Sequence, residues 1–227
     1  MYGGSNTDLN KDALMALADA LRTPLLRLHS SSQSVQDVGQ IRVITEHALR
    51  DIDAFMTTMG DLSNRQLPLE TMSLGALMND TMQKVKSYAN LAGVNISLDD
   101  HTQHQPVLGN IGALGAGLEM VVKTMCDFPV DTPEPVVILR ADTRHGYPRL
   151  GVYRRDIELN AEDLALARRL IGGSSVNAGL FQQLGALRIV IASKLLEPLS
   201  LTLRSAKSDG NRGLALQLMP SSQVGLF

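Results

Sequence analysis

Two stretches near the N-terminus constrain this chain more than any other feature in it. Over residues 9–29 apolar side chains recur at helical spacing, at Leu14, Leu17, Leu21, Leu25 and Leu28. A small polar run, Ser30-Ser31-Ser32-Gln33-Ser34, reads as a turn. A second stripe follows over residues 38–63, through Ile41, Ile44, Ala48, Ile52, Phe55, Met59 and Leu62. Steps of three and four are the a/d pattern of a bundle helix, and two such helices joined by a short turn form an antiparallel hairpin. A two-helix hairpin cannot cover its own stripes, because each helix presents one apolar face and nothing closes the far side. Pairing two hairpins into a four-helix bundle solves this, so the pattern predicts a homodimer.

Past Pro68 the periodicity changes. A helical stretch over residues 74–92 stops at Gly93, and residues 94–98 alternate apolar and polar as a strand does. Another helix is expected over residues 111–126. Strands are expected at 136–139 and 149–153, on either side of a turn at Gly146. Helices follow near 161–171 and 185–197, then strands at 199–204 and 213–219, with Asp209-Gly210-Asn211 as a hairpin signal between them. Helices mixed with strands that end in a hairpin indicate an α+β sandwich with its helices on one face. The expected organisation is a helical hairpin over residues 1–66, forming a dimeric four-helix bundle, and an α/β sandwich over 67–227.

Composition narrows the function classes. The 227 residues are 44% hydrophobic, enough for a substantial core, and 21 basic against 23 acidic residues give a net charge of −2. That balance argues against nucleic acid or an anionic membrane surface as a general partner. The one cysteine, Cys126, permits neither an intramolecular disulfide nor a thiolate metal cluster. No apolar run approaches the roughly 20 residues of a membrane span, and the N-terminus lacks the basic-then-apolar order of a secretory signal. The expected location is the cytoplasm.

Three segments, in this order, resemble the catalytic core of two-component sensor histidine kinases. Leu21-Arg22-Thr23-Pro24-Leu25 matches the conserved stretch of the phosphoacceptor helix and accounts for a proline inside an amphipathic helix. The run from Phe55 through Asp61-Leu62-Ser63 to Leu74 is similar to the end of the second dimerisation helix, the linker and the first ATPase-domain helix. The stretch from Ile189 to Pro220 matches the last helix, the final hairpin and the terminal proline. The resemblance covers nearly the whole chain. It implies a dimerisation hairpin followed by an ATPase-like domain, with a response regulator or another histidine kinase as partner. It also implies that the helical face carrying Leu14, Leu17, Leu21, Arg22, Thr23, Pro24, Ile41, Ile44, Ile52, Phe55 and Met59 makes the dimer and docks the partner.

The residues that carry the chemistry in that family do not carry over. Asp19 stands where the resemblance places the phosphoacceptor histidine, and Ala20 replaces the acid beside it. A solvated carboxylate is a far poorer nucleophile than a neutral imidazole. The two asparagines expected on the ATPase helix align with Met120 and Thr124, and a methionine thioether is a poor ligand for a hard cation. The adenine-binding aspartate aligns with Arg154, followed by Arg155 and Asp156, and a guanidinium has no acceptor to offer an amino group. Of the last glycine motif Gly185 remains. These losses imply that ATP and magnesium binding are gone, leaving no cofactor and no metal, and that the chain acts as a signalling adaptor or regulator through protein contacts. Asp19 could mimic the charge of a phosphohistidine, although a solvated surface residue is the plainer reading. Two enzyme readings stand beside the adaptor. One is an ATP-independent histidine phosphotransferase using His29 or His47, each otherwise an ordinary surface or boundary histidine. The other is an active but divergent kinase.

Overall fold

A computed structural model describes residues 38–59, 67–102, 106–128, 132–157 and 186–221. The first hairpin helix, with Leu14, Leu17, Asp19, Leu21, Arg22, Thr23, Pro24 and His29, lies outside the described residues, as does Gly185. The second is present as helix α1, Val38–Met59. After it come β1 (Glu70–Met72), α2 (Leu74–Leu91), β2 (Asn95–Asp100), β3 (Val107–Gly109) and α3 (Ile111–Asp127). Strands β4 (Val136–Arg144) and β5 (Tyr147–Arg154), helix α4 (Ala186–Leu196), and strands β6 (Arg204–Ser208), β7 (Asn211–Gln217) and β8 (Met219–Pro220) complete the order.

Among the described residues the main sheet has five strands in the order β2-β4-β5-β7-β6. Strands β2 and β4 run parallel, and the other neighbours pair antiparallel. A parallel pair needs a crossover connection, and α3 supplies it between β2 and β4. A second, three-stranded sheet has the order β1-β3-β8. The mixed sheet with helices over it is the α+β class that the sequence pattern indicates.

Strand alternation decides which face of the main sheet is inside. Leu98, Leu139, Val152 and Leu214 stand in one cross-strand row, and Ala141, Leu150 and Leu216 in the next. All seven belong to the core or pack against it, with Leu77, Leu118, Val122, Ile191 and Leu195 from the helices. Helix α3 is central. Thirteen of its 17 residues are buried, which is why it reads apolar nearly all round. Asn110 starts it by accepting from the Ala113 amide at 2.9 Å, while its own amide donates to the Pro68 carbonyl at 3.0 Å. One residue thus caps a helix and anchors the entry of the chain into this domain.

Both tight hairpins use two-residue loops with positive φ at each position: His145 and Gly146 (51° and 80°), then Asp209 and Gly210 (48° and 77°). That geometry matches the right-handed twist of the flanking strands, and the Asp209-Gly210 signal is where the sequence puts it. The expected strand at residues 199–204 differs. Leu199, Leu201 and Leu203 alternate as a strand would, yet Pro198 lies in a 3-10 turn, Glu197–Leu199, and Ser200 is left-handed at φ 57°. The Ser200 amide then donates to the Glu197 carbonyl at 2.9 Å and the Leu201 amide to the Leu196 carbonyl at 3.2 Å. This closes the end of α4, and the ladder begins only at Arg204. The leucines serve the core without pairing: Leu203 is buried, with Leu199 and Leu201 partly so.

Candidate functional site

Charged residues are rare in α3, and their spacing is informative. Glu119, Lys123 and Asp127 follow one another at intervals of four, so they line one face of the helix. Helix α1 brings Asp51 to that face and α4 brings Arg188. The Lys123 ammonium donates to Asp51 at 2.7 Å and lies 2.9 Å from Glu119. Arg188 donates to the other Asp51 oxygen at 2.8 Å and also to Asp127. Tyr88, from α2, donates its hydroxyl to the Asp127 carboxylate at 2.7 Å. Its ring lies beneath both cations, 5.8 Å from the Lys123 nitrogen and 5.2 Å from the Arg188 guanidinium carbon, within cation–π range. Lys123 is fully buried. The Glu119 oxygen meets it at ion-pair distance but off the hydrogen-bonding direction.

Burial alone would raise the Asp51 carboxyl, but Arg188 and Lys123 outweigh it and hold the group below its usual range. Burial likewise opposes the charge on Arg188, and Tyr88, Asp51 and Asp127 together hold its pKa well above the ordinary value. The ensemble joins four helices through two cations and three carboxylates, with one aromatic ring between.

His47 stands one turn before Asp51. Its Nε2 is 3.0 Å from the Ser87 hydroxyl, and its ring meets Tyr88 edge-on at 5.2 Å. The residue is 3% exposed, and Nδ1 is buried without a hydrogen-bond partner. This corrects the expectation of a surface or boundary histidine, because a polar residue next to Glu46 looks solvent-facing until α2 is placed against it. Burial, then Lys123 and Arg50, push its pKa down to about 4, with Glu119 and Asp51 opposing. Released from the helix joint, the imidazole titrates near 6.5. The released form therefore binds more protons between about pH 4 and pH 6.5. Packing of α1 should be at full strength above pH 6.5 and weaken as pH falls through that window. Hydrogen exchange of residues 38–59 at pH 7 and pH 5 checks this, and His47→Gln should flatten the dependence.

The other residues singled out from sequence fall in two places. Ile44 is buried, and Ile41, Ala48 and Ile52 are half-buried; Phe55 and Met59 belong to α1. Met120 and Thr124 do not form a ligand-facing pair. Both are buried, Met120 within the aliphatic core, and the Thr124 hydroxyl donates back to the Met120 carbonyl at 2.8 Å. Arg154 is fully buried and internal. It donates to Asp156 through Nε at 2.6 Å and Nη2 at 2.5 Å, and through Nη1 to the carbonyls of Met125 and Phe128 at 2.7 and 3.1 Å. Arg154 thus neutralises the carbonyl end of α3.

Sequence reasoning missed Asp51, Tyr88, Glu119, Lys123, Asp127 and Arg188. The 119–123–127 interval was the available signal. Among the described residues no group of three His, Cys, Asp or Glu side chains is placed to hold a metal ion, and no helix is long and apolar enough to cross a membrane.

No protein-family model and no curated protein matches the sequence. Solved structures do. The histidine kinase AdeS of Acinetobacter baumannii aligns with a TM-score of 0.54 at 12% identity, over 89% of this chain and 98% of that one. Histidine kinase ThkA, solved in complex with the response regulator TrrA, aligns at 0.57 and 12%, over 90% of this chain and 60% of that one. Full-length ShkA, solved with AMPPNP, aligns at 0.58 and 15%, over 80% and 38%. At these identities the likeness is one of fold: the mixed sheet and its helices have the architecture of histidine kinase catalytic domains.

Proposed function

We propose that this chain is a catalytically degenerate relative of the sensor histidine kinases, working as a dimeric adaptor or regulator in two-component signalling. The observation that carries this reading is the fate of the positions that the sequence resemblance assigns to nucleotide. Met120 and Thr124 are consumed by the core, and Arg154 and Asp156 by each other and by the end of α3. Each already has its partner inside the protein, and Arg154 would set a guanidinium where an acceptor for the adenine amino group is required.

The two-part organisation, 1–66 and 67–227, belongs to the same proposal. Ile41, Ala48 and Ile52 form a half-buried stripe on α1, suited to pairing with other helices of a bundle, and the homodimer rests on it. A response regulator is the partner class we favour, since a fold neighbour, ThkA, is solved with one. The buried His47 makes a poor phosphoacceptor, because a phosphoryl donor needs an open line of approach to the ring nitrogen.

Calorimetric titration with ATP and magnesium is the test. No heat of binding should appear up to millimolar nucleotide, and no label should pass from γ-labelled ATP to the protein. Micromolar affinity or labelling would overturn the reading. Light scattering on the eluting protein should give twice the chain mass, and a folded monomer would sink the dimer.

A further inference from the structure

Helix α1 and the domain it rests on meet through an unusual joint. Helix α1 packs against α2 and α4, but among its side chains with described burial only Ile44 and His47 are buried. Beside the His47–Ser87 contact, the charged part of the joint converges on one carboxylate. One Asp51 oxygen takes Lys123 at 2.7 Å and the other takes Arg188 at 2.8 Å. We propose that Asp51 is a latch: a single carboxylate from α1 that fastens the helix to the domain and can leave without disrupting the domain beneath.

The argument is one of charge pairing. A buried ion that loses its partner is costly, so most buried ion pairs cannot be opened reversibly. Here each cation has a second carboxylate that stays behind. Lys123 keeps Glu119, 2.9 Å away on its own helix, and Arg188 keeps Asp127. Tyr88 also remains bound to Asp127 and under both cations. With α1 docked, two cations serve three carboxylates. With α1 lifted, the domain holds two cations and two carboxylates, each charge paired and newly reached by water. Asp51 itself is hydrated on leaving. Among the described side chains of α1, Ile44, His47 and Ala54 supply the packing, and Asp51 supplies the ion pairs. The structure therefore provides two self-consistent states, α1 fastened or free, rather than one state and its unfolded remnant.

Hydrogen exchange on the full chain, followed by mass spectrometry, tests this with Asp51→Asn. Asparagine keeps the shape and removes the charge. Peptides from residues 38–59 should exchange about tenfold faster or more, while peptides from residues 136–154, in the β4–β5 hairpin, stay at their original protection. Unchanged protection of α1 would overturn the latch. So would equal loss in both regions, which would make Asp51 part of one cooperative core. Asp51→Glu provides the second reading: it retains the charge and should hold α1 far better than Asp51→Asn. If the two variants release α1 equally, charge is not what fastens it.

Discussion

Replacing Arg154 by methionine is expected to cost about 3–5 kcal/mol of stability, the range for removing one partner of a buried ion pair. The guanidinium makes two bonds to Asp156 and two to the last carbonyls of α3, with no side-chain surface exposed. Methionine fills similar volume but takes from Asp156, itself 6% exposed, the two guanidinium bonds that stabilise its buried charge. It also strands the carbonyls of Met125 and Phe128. Lysine should rescue poorly, because one ammonium cannot reproduce a planar fork that reaches a carboxylate and a helix end together. The double variant Arg154→Met/Asp156→Leu should recover part of the loss by removing both charges. Urea unfolding followed by circular dichroism measures all three, and a loss below about 1 kcal/mol for Arg154→Met would show that the network is not holding α3 to β5.

Gly213→Ala should rank next, at about 3 kcal/mol or more, through overpacking that no side chain can relieve. Gly213 pairs with Tyr153 in the β5–β7 ladder. A Cβ there would overlap the Val152 carbonyl oxygen and lie 2.7 Å from the Tyr153 Cα. Both obstacles are backbone, so the strands must part. Gly151→Ala offers the comparison. Its Cβ would meet the Tyr153 ring, which can swing aside at a cost of about 1–3 kcal/mol. Thermal melts should therefore place Gly213→Ala clearly below Gly151→Ala, and equal midpoints would contradict the backbone argument.

The fold was legible in the sequence wherever local chemistry and tertiary packing ask for the same thing. Asp209-Gly210 marks a turn because its backbone has positive φ, and burial alternates along β4 because one face of the strand is inside. Leu199-Ser200-Leu201-Thr202-Leu203 misled because alternation is necessary for a strand and not sufficient. Pro198 and the left-handed Ser200 end a helix there instead. The site was harder to read. Aligning a motif onto α3 drew attention to Met120 and Thr124, whereas the residues that matter are its sparse charges, 119, 123 and 127. Arg154 stood out only as a cation at the adenine-binding position, because nothing in its neighbourhood of sequence reveals that the end of α3 lies beside it. His47 read as a surface or boundary histidine, and Asp51 was passed over. Their partners are 40 and 72 residues away, at Ser87 and Lys123.

Helix α1 carries two kinds of contact on neighbouring flanks. At about 100° per residue, Ile41, Ala48 and Ile52 lie along one line, His47, Asp51 and Ala54 along another roughly a third of a turn away, and Ile44 between them. Turning the helix about its own axis therefore trades one flank against the other. A carboxylate at the rim of a cylinder about 10 Å across travels roughly 2.5 Å for a roll of about 30°, comparable to the whole length of the bonds that Asp51 makes. A modest roll of α1 is therefore enough to open both of the Asp51 ion pairs.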